Sequence, residues 1–120
     1  MNKLLILLFF LISVNIFSQA KNYEFYIHKS VVDNKETFDK TTILVTVGKG
    51  YFVIDGRFFK IIDYREDRDG LGNLINVFTA KAEDDGEKIG IFIDEVNHKG
   101  AFELPKRNNM LIYFFITEKR

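Results

Sequence analysis

The residues able to do chemistry in this 120-residue chain are few and scattered. His28 and His98 are its only histidines, and there is no cysteine. Without an HxH or HExxH spacing, a zinc site would need distant carboxylates to complete it. Ser30 is the only serine after residue 20, two positions from His28, so on a regular strand the two would share a face. No strained elbow, oxyanion-hole glycine loop or committed acid accompanies them, and polar strand decoration is the better reading. The best metal-like string is Asp67-Arg68-Asp69-Gly70-Leu71-Gly72-Asn73, where Asp67, Asp69 and Asn73 could offer hard oxygen ligands to calcium. On the EF-hand template, however, Arg65 takes the first ligand position and Asn76 the last, and no helices flank the loop. A solvated hairpin loop fits that string better. Asp84-Asp85 and Asp94-Glu95 are adjacent acids, which on a strand point to opposite faces. Gly48-Lys49-Gly50 lacks the frame of a phosphate loop, and Lys106-Arg107 is a small basic spot. The expectation is a protein that is not an enzyme and carries no cofactor.

Compartment is more legible than chemistry. Residues 1–20 read as a signal peptide: Lys3 is a short positive start, residues 4–17 are apolar apart from Ser13 and Asn15, and Ser18-Gln19-Ala20 offers small residues to a signal peptidase. The apolar run is shorter than the about 20 residues a membrane anchor needs. An exported protein is expected, periplasmic or secreted, with no membrane span after cleavage. The remaining residues 21–120 suffice for one domain. Lys3 is one of 17 basic residues set against 17 acidic ones, so its removal leaves a net charge near −1. That balance excludes the basic excess of a nucleic-acid binder. Export permits disulfides, yet the chain can form none, so packing must supply the stability. Phe and Tyr, 13 and five in the whole chain, provide the bulk.

The elements that must position any site are strands. Residues 22–30 alternate Tyr23, Phe25 and Ile27 against Glu24, Tyr26 and His28, the period of a half-buried strand. Residues 33–40 are polar and turn-rich. Residues 42–64 read as three short strands joined by Gly48-Lys49-Gly50 and Asp55-Gly56, the second suited to a type I′ turn. Residues 65–73 form the longest expected loop. Strands follow at residues 74–82, 88–94, around 101–104, and 110–117, separated by turn signals such as Asp84-Asp85-Gly86 and Asn108-Asn109. No stretch after residue 20 has a convincing 3.6-residue apolar period. The fold class expected is all-β: one domain, an antiparallel meander of six to eight strands forming a small barrel or sandwich.

One feature departs from a sheet with one wet face. Residues 110–116 are apolar on both faces, and Phe58-Phe59 and Ile61-Ile62 are doubled. A partly covered outer surface explains this, and so does an aromatic patch that meets a partner. With its signal peptide, its meander and a terminal strand of the form NNMLIYFFI, the chain resembles small exported β-proteins of Bacteroidota-like bacteria. That resemblance implies the fold class and no functional residue. The leading functional expectation is a non-enzymatic binding module with an aromatic-rich interior or face. Tyr51, Phe58, Tyr64, Phe92, Tyr113 and Phe115 would present it to an apolar small molecule or a protein partner. The alternatives are a structural β-protein that associates with itself, and a calcium-dependent module using the loop at 67–73.

Overall fold

The structure, a computed structural model, describes residues 21–119. The leader read over residues 1–20 lies outside the described residues. Eight antiparallel strands follow one another as a simple meander: β1 (Lys21–Val32), β2 (Lys35–Gly48), β3 (Tyr51–Ile54), β4 (Arg57–Arg68), β5 (Leu74–Ala82), β6 (Lys88–Asp94), β7 (Lys99–Leu104) and β8 (Met110–Lys119). Each pairs with its neighbour in sequence, and β8 returns to pair with β1, closing the barrel. The meander of six to eight strands is thus an eight-stranded barrel, without the two facing layers of a sandwich.

Local sequence sets the turns. Asp33 and Asn34, and again Asp55 and Gly56, all take positive φ, the signature of two-residue type I′ hairpins. In the Gly48-Lys49-Gly50 turn only Gly50 has positive φ; Gly48 has a different use. The Tyr51 ring lies where a Gly48 side chain would be, so an aromatic covers a glycine that would leave the strand bare.

Alternation then decides what is inside. Phe25, Val45, Phe52, Phe59, Ile91 and Phe114 are all buried and share one core with residues at the same parity on their strands. The Phe25 and Phe114 rings stack at 4.2 Å, and Phe102 leans on both, at 5.8 Å and 4.7 Å. Gly100, opposite Phe114 in the ladder, has no side chain to compete with that ring. The middle of the barrel is therefore filled by side chains, as eight strands allow.

Two hairpins run longer than the polar sequence suggests. Residues 35–40, expected in a turn, begin β2, and 35–38 of them pair with β1. Residues 65–68, expected in a loop, continue β4 and pair with β5, leaving only 69–73 as loop. Both extensions project beyond the core, where neither face needs to be apolar, so charged residues sit in a ladder without cost. A register shift in β1 between Ile27 and Lys29 changes which parity faces inward. Ser30 pairs with the inward Ile112, whereas His28 stacks on the outward Phe115. The shared face expected for His28 and Ser30 is lost to that shift.

The barrel end formed by the β1–β2, β3–β4, β5–β6 and β7–β8 turns is tied by charge. Arg57 donates to Asp84 at 2.9 and 3.0 Å, to Asp85 at 2.7 Å and to Glu87 at 2.8 Å. Arg107, from the basic spot, adds a 3.4 Å bond to the same Glu87 oxygen. Glu87 is only 4% exposed. The Arg57 hydrogen bonds hold the Asp84 carboxyl down to about 2, and Asp84 in turn raises the guanidinium. A carboxyl depressed on folding contributes stability above its unfolded value, about 4, and loses it as pH falls toward 2. Amide protection factors in the 83–87 turn, which remove the intrinsic slowing of exchange in acid, should therefore fall between about pH 4 and pH 2, and Arg57→Gln should remove much of that acid dependence. An unchanged profile in the variant would show that the tie contributes nothing.

Candidate functional site

The opposite end, where the β2–β3, β4–β5 and β6–β7 connections lie, holds a cup of about 530 Å³. Its floor is Phe25 and Phe52, both buried, and its walls are Tyr23, Val47, Phe78, Ile93 and Ile116. These come from β1, β2, β3, β5, β6 and β8, so the cup exists only because the meander closes. Phe52 meets Phe78 edge to face at 5.3 Å, a geometry aromatic rings favour. Val47 is directly opposite Phe52, and Ile116 is opposite Phe25. The Ile116 amide donates to the His98 carbonyl at 2.8 Å, which fastens the β6–β7 turn to the rim. Besides the Tyr23 hydroxyl, the polar side chains that line the cup are Glu95, His98 and Thr117.

Tyr64 is set beside the same end. Its hydroxyl donates to Asn76 Oδ1 at 2.8 Å, and its ring lies 4.9 Å from that of Phe78. Burial, then the charges of Glu66 and Glu95, raises that hydroxyl above the usual phenol range. Glu66 and Glu95 thus act on the Tyr64 hydroxyl at an end that also carries Lys49 in the β2–β3 turn.

The other aromatics singled out by sequence lie on the outer wall. Tyr51 and Phe58 stack at 4.9 Å on the β3–β4 surface. Phe92, Ala101 and Tyr113 form one cross-strand row outside β6, β7 and β8. With Phe115 and His28 they border a shallower groove of about 300 Å³. His28 Nδ1 is buried there without a hydrogen-bond partner. The structure thus brings together Phe92, Tyr113 and Phe115, separates Tyr51 with Phe58, and leaves Tyr64 at the rim.

The acidic strings serve their own turns. Asp69 Oδ1 accepts from the backbone amides of Leu71 and Asn73 at 2.9 Å, and Oδ2 accepts from the Asn73 side chain at 3.1 Å. The Asn73 backbone bond leads in holding the Asp69 carboxyl below its ordinary value. Asp67 accepts from the Arg68 amide at 2.8 Å. These oxygens brace a loop, as Asx turns do. Asp94 does the same for the β6–β7 turn: Asn97 donates its side chain at 2.8 Å and its amide at 3.1 Å, and these bonds lower the Asp94 carboxyl. Among the described residues, no group of three or more His, Asp or Glu side chains is placed to hold a metal ion.

Sequence reading missed Tyr23, Val47, Phe52, Phe78, Ile93 and Ile116 as a set. Tyr23, Val47 and Ile93 were legible as members of one apolar face of their strands; the faces of Phe52, Phe78 and Ile116, and the convergence of all six at one barrel mouth, were not. Neither a family model, nor a curated protein sequence, nor a solved structure matches this chain.

Proposed function

We propose that this protein is an exported, non-enzymatic binding module that takes an apolar small molecule into the open mouth of its barrel. The observation that carries the reading is the apolar cup of about 530 Å³ walled by Tyr23, Val47, Phe78, Ile93 and Ile116. Ligand sites are typically concave, of about 300–1,000 Å³, and mostly apolar with a few polar groups to orient the guest. Glu95 and His98 occupy the orienting place here. The signal-peptide pattern of residues 1–20 supports export.

The test is fluorescence titration with a neutral apolar probe, N-phenylnaphthylamine. The wild-type protein should bind it saturably at one site. Ile93→Trp, which fills the cup from β6, should weaken binding at least about tenfold, equivalent to about 1.4 kcal/mol. Phe115→Ser, on the outer wall, should remain folded and bind within about twofold of wild type, as exposed substitutions usually do. Binding insensitive to Ile93→Trp but lost in Phe115→Ser would move the site to the outer groove and overturn the reading.

A further inference from the structure

The barrel is closed, yet because β3 is short two of its strands have long unpaired edges: β4 at residues 62–68 toward the cup end, and β2 at the other end. β2 has 14 residues and β3 only four. β3 covers β2 only at Val45, Thr46, Val47 and Gly48, and the Asp55 amide bonded to the Leu44 carbonyl at 3.0 Å marks the end of that coverage. Among the described residues, no strand pairs with the β3-facing side of residues 35–43. The main-chain groups of alternate residues point to alternate sides of a strand. The Leu44 carbonyl points toward β3, so Thr42 and Lys40 present their amides and carbonyls to the free side. Beyond the register shift between Thr41 and Phe38, the two-residue turn at Asp33-Asn34 makes Val32 and Lys35 a hydrogen-bonded pair, so Glu36 and Phe38 face the free side as well. Residues 35–42 are exposed on both faces, and Phe38 is 76% exposed.

Such an edge is a template for another strand, and proteins usually blunt it with proline, short length or charge. This edge is long, has no proline and is rich in threonine. Its charges are Lys35, Glu36, Asp39 and Lys40. Their order is self-complementary. Two copies aligned antiparallel about Phe38 place Glu36 of each opposite Lys40 of the other, Phe38 opposite Phe38, Thr37 opposite Asp39 and Lys35 opposite Thr41. No like charges meet. Opposite-charge and aromatic cross-strand pairs both stabilise a sheet. In this register Phe38 and its mate form a hydrogen-bonded pair, which is the pair its outward main-chain groups require. Lys29 already holds Glu36 on the same face, at 3.4 Å, limiting the freedom lost on pairing.

We propose that this edge joins two copies of the chain in a two-fold dimer, with β2 pairing to β2 across residues 35–41. The interface is isologous and closes on itself. It lies at the barrel end away from the cup, so both mouths stay open to ligand. The proposal stands on the β2 edge alone and does not depend on what the cup binds.

Sedimentation equilibrium on the purified protein tests it. The wild type should show a monomer–dimer equilibrium. Lys40→Glu, which sets Glu36 against a like charge, should weaken dimerisation at least about tenfold, and so should Glu36→Lys. The double variant Glu36→Lys/Lys40→Glu restores opposite pairs and should regain the dimer. An equimolar mixture of the two single variants should also associate, which reads out pairing even if one variant is less stable. A strict monomer at millimolar concentration would overturn the proposal. So would dimers indifferent to Lys40→Glu, or single variants that fail to associate when mixed. Open-ended polymers blocked by substitutions in residues 62–68 of β4 would overturn it too, in favour of a head-to-tail contact.

Discussion

Phe114→Ala is expected to destabilise the barrel by about 3–5 kcal/mol, the range for truncating a buried aromatic. Phe114 is 0% exposed, stacks on Phe25 at 4.2 Å and leans on Phe102 at 4.7 Å. Truncation removes the shared ring of both contacts and leaves a void facing Gly100, which has no side chain to move into it. The strands on either side are held by ladders to β1 and β7, so the wall cannot collapse far. Domains of this size have only about 5–15 kcal/mol of stability in total, so much of the margin would go. Urea unfolding should show a lower midpoint with an unchanged slope. A shift under about 1 kcal/mol would mean that the three-ring cluster is not the centre of the core.

Gly100→Val should cost at least about 3 kcal/mol, at or beyond the upper end of ordinary overpacking. A side chain at Gly100 would run into the backbone carbonyl of Phe92 on the neighbouring strand and stand 2.8 and 2.9 Å from the Phe114 ring. The ring is packed against Phe25 and Phe102, and the carbonyl belongs to a ladder. Gly100 is thus required by close approach and not by a left-handed conformation, unlike Gly56 at φ 81°. At Gly56 a side chain would meet nothing within 4 Å, and the strain would be conformational alone. Thermal unfolding of Gly100→Val against Gly90→Val, where the nearest side-chain atom is at 3.4 Å, should show the first far more damaged. Equal losses would contradict the packing described around Phe114.

Period-two alternation made the strands and their turns legible, because most of them bury one face. Asp55-Gly56 carried its turn type in its residue types alone. What stayed hidden were features that depend on contacts distant in sequence. In β8 the two faces, Met110-Ile112-Phe114-Ile116 and Leu111-Tyr113-Phe115, are both apolar, so alternation alone could not say which faced inward. Phe92, Tyr113 and Phe115 were accordingly open to an interior or an outer reading, and they lie on the outer wall. Closure rests on the β1–β8 ladder between opposite ends of the domain, and no local pattern encodes it. The β1 register shift at His28 also reverses parity within a strand that reads as regular. Residues 35–40 lacked an apolar face because the hairpin there projects past the core, and so they resembled a turn.

The cup depends on each of these hidden features, and its occupancy is the central functional claim. Nuclear magnetic resonance on isotope-labelled protein, titrated with N-phenylnaphthylamine, tests it most directly. The expected result is saturable shift changes concentrated at Val47, Phe52, Phe78, Ile93 and Ile116, with Phe92, Tyr113 and Phe115 left in place. Changes confined to the outer wall, or none at saturating probe, would contradict it.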